Sequence, residues 1–198
     1  YVKKVDLKEY KKRFKMDRFK YYQPGKPGAI LLGKTRPLII QLGKFIFTHG
    51  SLNIEFVKGC LENKLNITGT NYVDINKVNK IMSDWLCGKS KKVPFFINSS
   101  DNINPLFDRS LTDPIKLESV QCINKVDNLL KYFPKGQYLV MGHSTHKNIN
   151  SMCNNKIYRT DIALSRAFGE KLETNLKRWQ GLEIKQGRHL TTKIMKSN

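Results

Sequence analysis

The chain has 198 residues, 39% hydrophobic and 10% aromatic, enough for one domain with a real core and too apolar for a disordered tail. No apolar run approaches the roughly 18 residues needed to cross a bilayer, and no signal peptide is visible. Net charge is +20, from 36 Lys plus Arg against 16 Asp plus Glu, which favours an acidic partner such as nucleic acid, a phosphoprotein or an anionic surface. Only 8 of those 36 residues are Arg, the better phosphate reader, so compositional bias accounts for the charge equally well.

In chain order, Val2 to Phe19 places Leu7, Tyr10 and Phe14 on one helical face among lysines. Pro24-Gly25 and Pro27-Gly28 then predict a loop. "PLIIQLGKFIFTHG" reads as two strands turning at Gly43-Lys44, the second apolar enough to be covered on both faces. Asp74 is placed to cap a helix carrying Ile75, Val78, Met82 and Trp85. "FFINSSDNINPLFDRSLTDP" is polar and rich in turn residues, a long surface loop of the kind that often carries function. A helix is predicted from about Lys116 to Phe133, stopped by Pro134 and Gly136. "YLVM" and "KIYRTDIAL" read as strands, and the chain closes on a hairpin about Gln186-Gly187. Cys60, Cys87, Cys122 and Cys153 are widely spaced without a CxxC, which argues against a zinc ribbon and for reduced thiols in a reducing compartment.

The histidines carry the functional signal. Of the four, His49 and His143 each stand beside a glycine just past an apolar strand. Strand ends in layered α/β folds converge on one rim where ligands bind. A neutral imidazole is a common metal ligand, and glycine lets a ligand approach the backbone closely. His146, three residues beyond His143, and His189 in the closing hairpin carry no such pattern.

Five segments in order resemble calcineurin-like metallophosphoesterases, and most closely the Shewanella-like protein phosphatases. "FIFTHGSL" resembles F-V-H-G-G-L, "LVMGHSTH" the G-H-T segment and "NPLFDRS" the P-L-W-Y-R motif. "INSMCNNKIYRTDIALSRAFG" resembles the stretch after the second histidine, and "YYQPGKPGAILLGKTRPLIIQLG" the lead-in to the first. The resemblance covers Tyr21 to Gly169. It implies an αββα sandwich, with the chain as one domain over residues 1–198 forming its C-terminal part. It further implies two divalent ions (manganese, iron or zinc), His49 and His143 as metal ligands, and Arg109 as the phosphate-holding arginine. The Shewanella-like branch has no counterpart of His146, which is expected at the rim of such a site or behind its metal ligands; Asp161 matches the branch's aspartate, a structural residue or one behind the ligands. Ser51 replaces a motif glycine, Ala163 and Leu164 replace a Gly-Met pair, and Asp108 displaces an aromatic beside Arg109, where its carboxylate would disfavour phosphate.

The family's D-x-H, G-D-x-x-D and G-N-H-E motifs are absent from the sequence. Tyr1 falls shortly after the place where G-N-H-E would stand, so the resemblance implies a C-terminal half, with too few protein ligands alone for a catalytic centre. The expected function is an intracellular, metal-dependent serine/threonine-type protein phosphatase that hydrolyses phosphomonoesters with a dimetal-activated water. The competing expectation is an inactive relic of the fold, serving as a structural, virion or nucleic-acid-associated protein, which the charge suits. A plain nucleic-acid-binding domain is a third reading, and its one basic-aromatic run is "FKYY", Phe19 to Tyr22.

Overall fold

The computed structural model describes residues 4–97, 103–113, 120–163, 180–186 and 190–196. Its elements are α1 (Lys4–Phe14), α2 (Arg18–Tyr21), α3 (Pro27–Thr35), β1 (Ile39–Leu42), β2 (Phe45–Thr48), α4 (Ile54–Glu62), α5 (Ile75–Leu86), α6 (Val120–Leu130), β3 (Tyr138–Met141), β4 (Asn150–Met152), β5 (Ile157–Arg159), β6 (Gln180–Gln186) and β7 (Leu190–Lys196). The fold is mixed α/β, as the sequence predicts.

Five strands form one mixed sheet in the order β1-β2-β3-β5-β4, and β6-β7 form a separate hairpin. β1 and β2 are antiparallel, turning at Gly43, whose φ of 56° suits a residue without Cβ. β2, β3 and β5 run parallel, so their C-terminal ends share one rim. One face of the sheet, through Ile39, Ile46, Leu139, Met141 and Ile157, packs on Phe56, Val57 and Cys60 of α4, Val78 of α5, and Cys122, Val126 and Leu129 of α6. The opposite face, through Phe45, Val140 and Tyr158, is covered by Leu182 and Ile184 of the hairpin. Tyr158 ties the two together through a 3.0 Å hydrogen bond between its hydroxyl and that of Thr192. By register Ile40 and Leu42 lie on this second face, yet they are 41% and 64% exposed.

Several expectations change. The predicted loop holds for residues 22–26, but Pro27-Gly28 belong to helix: Pro27 begins α3 in the first turn, where its missing N–H costs nothing. The single N-terminal helix is two, because Lys15 takes a positive φ of 51° and Asp17 starts α2 by accepting from the Lys20 amide. α4 and β4 were not foreseen; α4 is capped by Asn53, whose side chain accepts from the Phe56 amide at 2.9 Å. The Asp74 cap of α5 is as predicted. Residues 114–119, 164–179 and 187–189, which hold the start of the predicted sixth helix, Leu164, Gly187 and His189, lie outside the described residues.

The cysteines are not all reduced thiols. Cys122 of α6 and Cys153, in the turn between β4 and β5, form a disulfide with Cα atoms 5.3 Å apart, while Cys60 and Cys87 are free. The two are far apart in sequence but meet because α6 lies across the face of the sheet that ends at that turn.

Candidate metal and phosphate site

β2 and β3 are adjacent and parallel, with Thr48 opposite Met141. His49 therefore leaves β2, and His143 leaves β3, at the same rim. The Gly142 amide donates to the His49 carbonyl at 2.9 Å and holds the two exits together. His143 then turns in the left-handed region, φ 70°, which swings its ring towards His49. Nε2 of His49 and Nδ1 of His143 stand 3.1 Å apart. The Phe107 ring meets His143 edge-on at 6.0 Å and is 56% exposed at the mouth of the site.

The glycines do not serve as expected. Neither Gly50 nor Gly142 takes a positive φ; the unusual angle belongs to His143 itself. A Cβ on Gly50 would come within 2.8 Å of the carbonyls of Pro105 and Asp108, so this glycine admits the backbone of another loop rather than a ligand. A Cβ on Gly142 would press on the His49 carbonyl at 3.3 Å.

The admitted loop, residues 103–113, lies packed between the two histidine segments. At its start, the Gly50 and Ser51 amides donate to the carbonyls of Pro105 and Asp108 at 2.7 and 2.8 Å, and the Leu111 amide donates to the Ser51 hydroxyl at 2.9 Å. Ser51, where the related motif has glycine, thus has a task of its own. At the loop's end, the hydroxyls of Thr112 and Ser144 meet at 2.8 Å, Ser144 donates to Asp113 at 2.7 Å, and Nε2 of His146 meets the Thr112 carbonyl at 2.8 Å. Asp113 was not foreseen, although its place four residues after Arg109 was visible in the sequence.

Asp108 does not disturb the pocket beside Arg109. Its carboxylate is 2% exposed and accepts from the Asn53 side chain at 2.7 Å and from the Ser110 amide and hydroxyl at 2.7 and 3.0 Å. Arg109, next in the chain, projects outward with its side chain 53% exposed and only a long ion pair, 3.9 Å, to Asp113. Its charge is felt at His143: burial, then Arg109, then His49, hold the His143 pKa below its ordinary value, and a backbone hydrogen bond at Phe107 and then Asp161 oppose them. Asp161 accepts from the Ala163 amide through its side chain, and its carbonyl accepts from the His146 amide at 2.8 Å. His146 is held by Thr112 and Asp161 rather than turned to the two facing histidine nitrogens.

Two nitrogens 3.1 Å apart would each reach one ion at about 2.0–2.1 Å, subtending roughly 100° there. Among the described residues His143 Nε2 is buried with no hydrogen-bond partner, while the ring's other contacts are with His49 and Phe107. These donors fit part of the shell of a single ion. Among the described residues there is no cluster of three or more His, Cys, Asp or Glu that could complete it. A groove of about 630 Å³ between β1, the start of α5 and Pro134 lies away from this rim, and its one acidic residue, Asp74, is engaged in capping α5.

No family model and no curated protein matches the chain. Among solved structures, a cold-active protein tyrosine phosphatase is similar at 17% identity and a TM-score of 0.56, over 82% of this chain and 43% of that one. A point mutant of a cold-active protein tyrosine phosphatase gives 16% identity and a TM-score of 0.58, over 82% and 44%. A third such structure, from a psychrophilic Shewanella species, aligns over 64% of this chain and 34% of that one, with 17% identity and a TM-score of 0.46. The chain therefore spans less than half the length of these phosphatases, and what it shares with them is the fold of that part.

Proposed function

We propose that the chain is the distal part of a metal-dependent phosphomonoesterase that acts on phosphoprotein. The observation that carries this reading is the convergence of His49 Nε2 and His143 Nδ1 at 3.1 Å on the rim of parallel strands. The serine/threonine preference implied by the sequence resemblance and the tyrosine phosphatase name of the similar structures differ; phosphoprotein is the class common to both.

His49 and His143 would hold one of two divalent ions, the remaining ligands coming from segments outside this chain. When bound, such ions supply Lewis acidity and lower the pKa of the attacking water. His143 is suited to its part because its depressed pKa keeps the ring neutral, with a lone pair available, at a lower pH than an ordinary histidine. Arg109 would pair two oxygens of the phosphoryl group with its guanidinium fork, released from Asp113, which holds it only at 3.9 Å. The packed loop fixes the register of Arg109 against both histidines through Gly50, Ser51 and Ser144.

Titration calorimetry of the chain with manganese and zinc should show one site that is lost in both His49→Ala and His143→Ala. With the natural upstream sequence attached, the protein should hydrolyse p-nitrophenyl phosphate with manganese, whereas the chain beginning at Tyr1 should not. Arg109→Ala in that longer protein should lower turnover about 10²–10³-fold, as loss of one donor to a developing charge does, and leave the melting temperature unmoved. Metal binding that ignores both histidines, or wild-type turnover in Arg109→Ala, would overturn the assignment.

A further inference from the structure

A second surface, remote in sequence from the histidine rim, has its own chemistry. Between Lys8 and Tyr22 the chain carries seven Lys or Arg against Glu9 and Asp17, and all seven are exposed: Lys8, Lys11, Lys12, Arg13, Lys15, Arg18 and Lys20. Among them Phe14 is 49%, Phe19 64% and Tyr22 43% exposed. Water should not leave three aromatic rings so uncovered within nine residues unless something else covers them.

Two of the three exposed rings are held by neighbours, Phe14 by Tyr10 and Tyr22 by Tyr21. Tyr10 and Phe14 pack with centroids 4.6 Å apart, the Arg18 guanidinium lies 5.4 Å from the Tyr10 ring, and that of Arg13 lies 5.4 Å from Phe14. Asp17 fixes the start of α2 by accepting from the Lys20 amide at 3.2 Å. Tyr21 and Tyr22, edge-to-face at 5.1 Å, seat on α3 where Gly28 leaves room: a Cβ there would meet their rings at 2.5 and 2.8 Å. Flat aromatic rings interleaved with cations match a strand that offers bases and phosphates in alternation. The exposed aliphatic side chains that a bilayer surface calls for stand on α3, at Leu31 and Leu32, rather than between Lys8 and Tyr22.

We propose that α1 and α2 form a binding surface for single-stranded nucleic acid, with Phe14, Phe19 and Tyr22 stacking on bases and the surrounding lysines and arginines pairing with phosphates. Stacking is tolerant of base identity, so recognition is of single-strandedness and charge rather than of sequence. The proposal uses none of the histidine-site residues, and it requires that these rings stay uncovered in the longer protein of the proposed function.

The test is fluorescence anisotropy of a labelled 15-nucleotide oligothymidylate, a duplex of equal length, and vesicles of phosphatidylcholine with phosphatidylserine. The oligothymidylate should bind, and its affinity should fall steeply with salt, by about 0.7 in log K per log unit for each phosphate engaged. Phe19→Ala should weaken it about tenfold, with the salt slope unchanged and duplex binding unaffected. Lys11→Gln with Lys12→Gln should flatten the slope instead. Phe19 is exposed, so the fold should persist, and an unchanged circular-dichroism melt would verify that. Equal affinity of wild type and Phe19→Ala, preference for the duplex, absence of binding, or binding of the vesicles in place of the oligonucleotide would each overturn the proposal.

Discussion

His143 and Asp108 show what single residues contribute to the rim. Read from sequence, Asp108 was a carboxylate crowding a phosphate pocket. The alternation of directions along the loop instead turns it inward while Arg109 turns out, and three donors meet it. That difference was not legible, because side-chain direction in an irregular segment depends on the partner it packs against, here Asn53, 55 residues away. The histidine pair was legible, because two parallel strands deliver their ends to one rim whatever the details. Removing the buried Asp108 carboxylate takes hydrogen bonds from Asn53, which is half-buried, and from Ser110, which is exposed; water can meet those donors, so the cost is the net worth of a hydrogen bond, about 0.5–1.5 kcal/mol. Asp108→Ala should therefore lower the free energy of unfolding by that amount in urea melts. Burial raises the Asp108 pKa, so the folded state keeps its proton at a pH where the unfolded chain has lost it. Its contribution is complete below the unfolded value near 3.8 and is lost as pH rises through the folded one. Asp108→Asn, which cannot ionise, should lack that decline in melts taken across pH 4 to 7.

Elements with a clear period or cap were readable: β1, β2, β3 and α5 stand where alternation, the Gly43 turn and Asp74 put them, and the closing strands pair as a hairpin whose turn lies outside the described residues. Those misread were decided by tertiary context. α3 begins at a proline that looked like punctuation, and α3 earns its place by packing on α5, where a Cβ on Gly33 would touch Leu86 at 2.9 Å. The loop 103–113 was foreseen as a surface loop, yet Asn104, Asp108, Leu111 and Thr112 are buried because both histidine segments hydrogen-bond to it. No periodicity signals such docking; its sequence cost is visible only at Gly50, after the fact. The link between α6 and the β4–β5 turn was missed for the same reason, since spacing alone does not pair cysteines. Cys122 and Cys153 close a loop of sequence separation 31, for which the chain-entropy relation gives roughly 3–4 kcal/mol of restraint on the unfolded state. Denaturation with and without a reductant should differ by about that amount, and Cys122→Ala with Cys153→Ala should remove the dependence on reductant. A melt indifferent to reductant in the parent chain would show that the two sulfurs are not joined in solution.

At the scale of the whole molecule, the described residues close one face of the sheet with three helices and put the hairpin on the other, and the larger buried cluster lies on the helical side. Cys60 lies at the centre of that side, fully buried on α4, and it sets how the molecule meets alkali. Burial pushes the Cys60 thiol from 9.0 up to about 12, because a thiolate among apolar side chains has lost its water without gaining a partner. Between those values the unfolded chain releases the proton and the folded chain keeps it, so the folded state binds more protons and stability falls as pH rises through that window. His143 acts from the other side. Its folded pKa is depressed below 6.5, so in the interval beneath 6.5 the unfolded chain is the one that binds the proton, and stability falls as pH drops through it. Midway between 6.5 and 9.0 each group is close to a single charge state in both the folded and the unfolded chain, so neither tilts the stability much there. Tyrosines and lysines also titrate in alkali, so the wild-type curve alone does not isolate the thiol. The difference between wild type and Cys60→Val does: the valine fills nearly the same volume and cannot ionise. Urea unfolding of both chains at pH 8 and at pH 10.5 should give a gap that narrows at the higher pH, because only the wild type loses stability through this residue. A gap independent of pH would mean that Cys60 is ionised, or solvated, within the folded core.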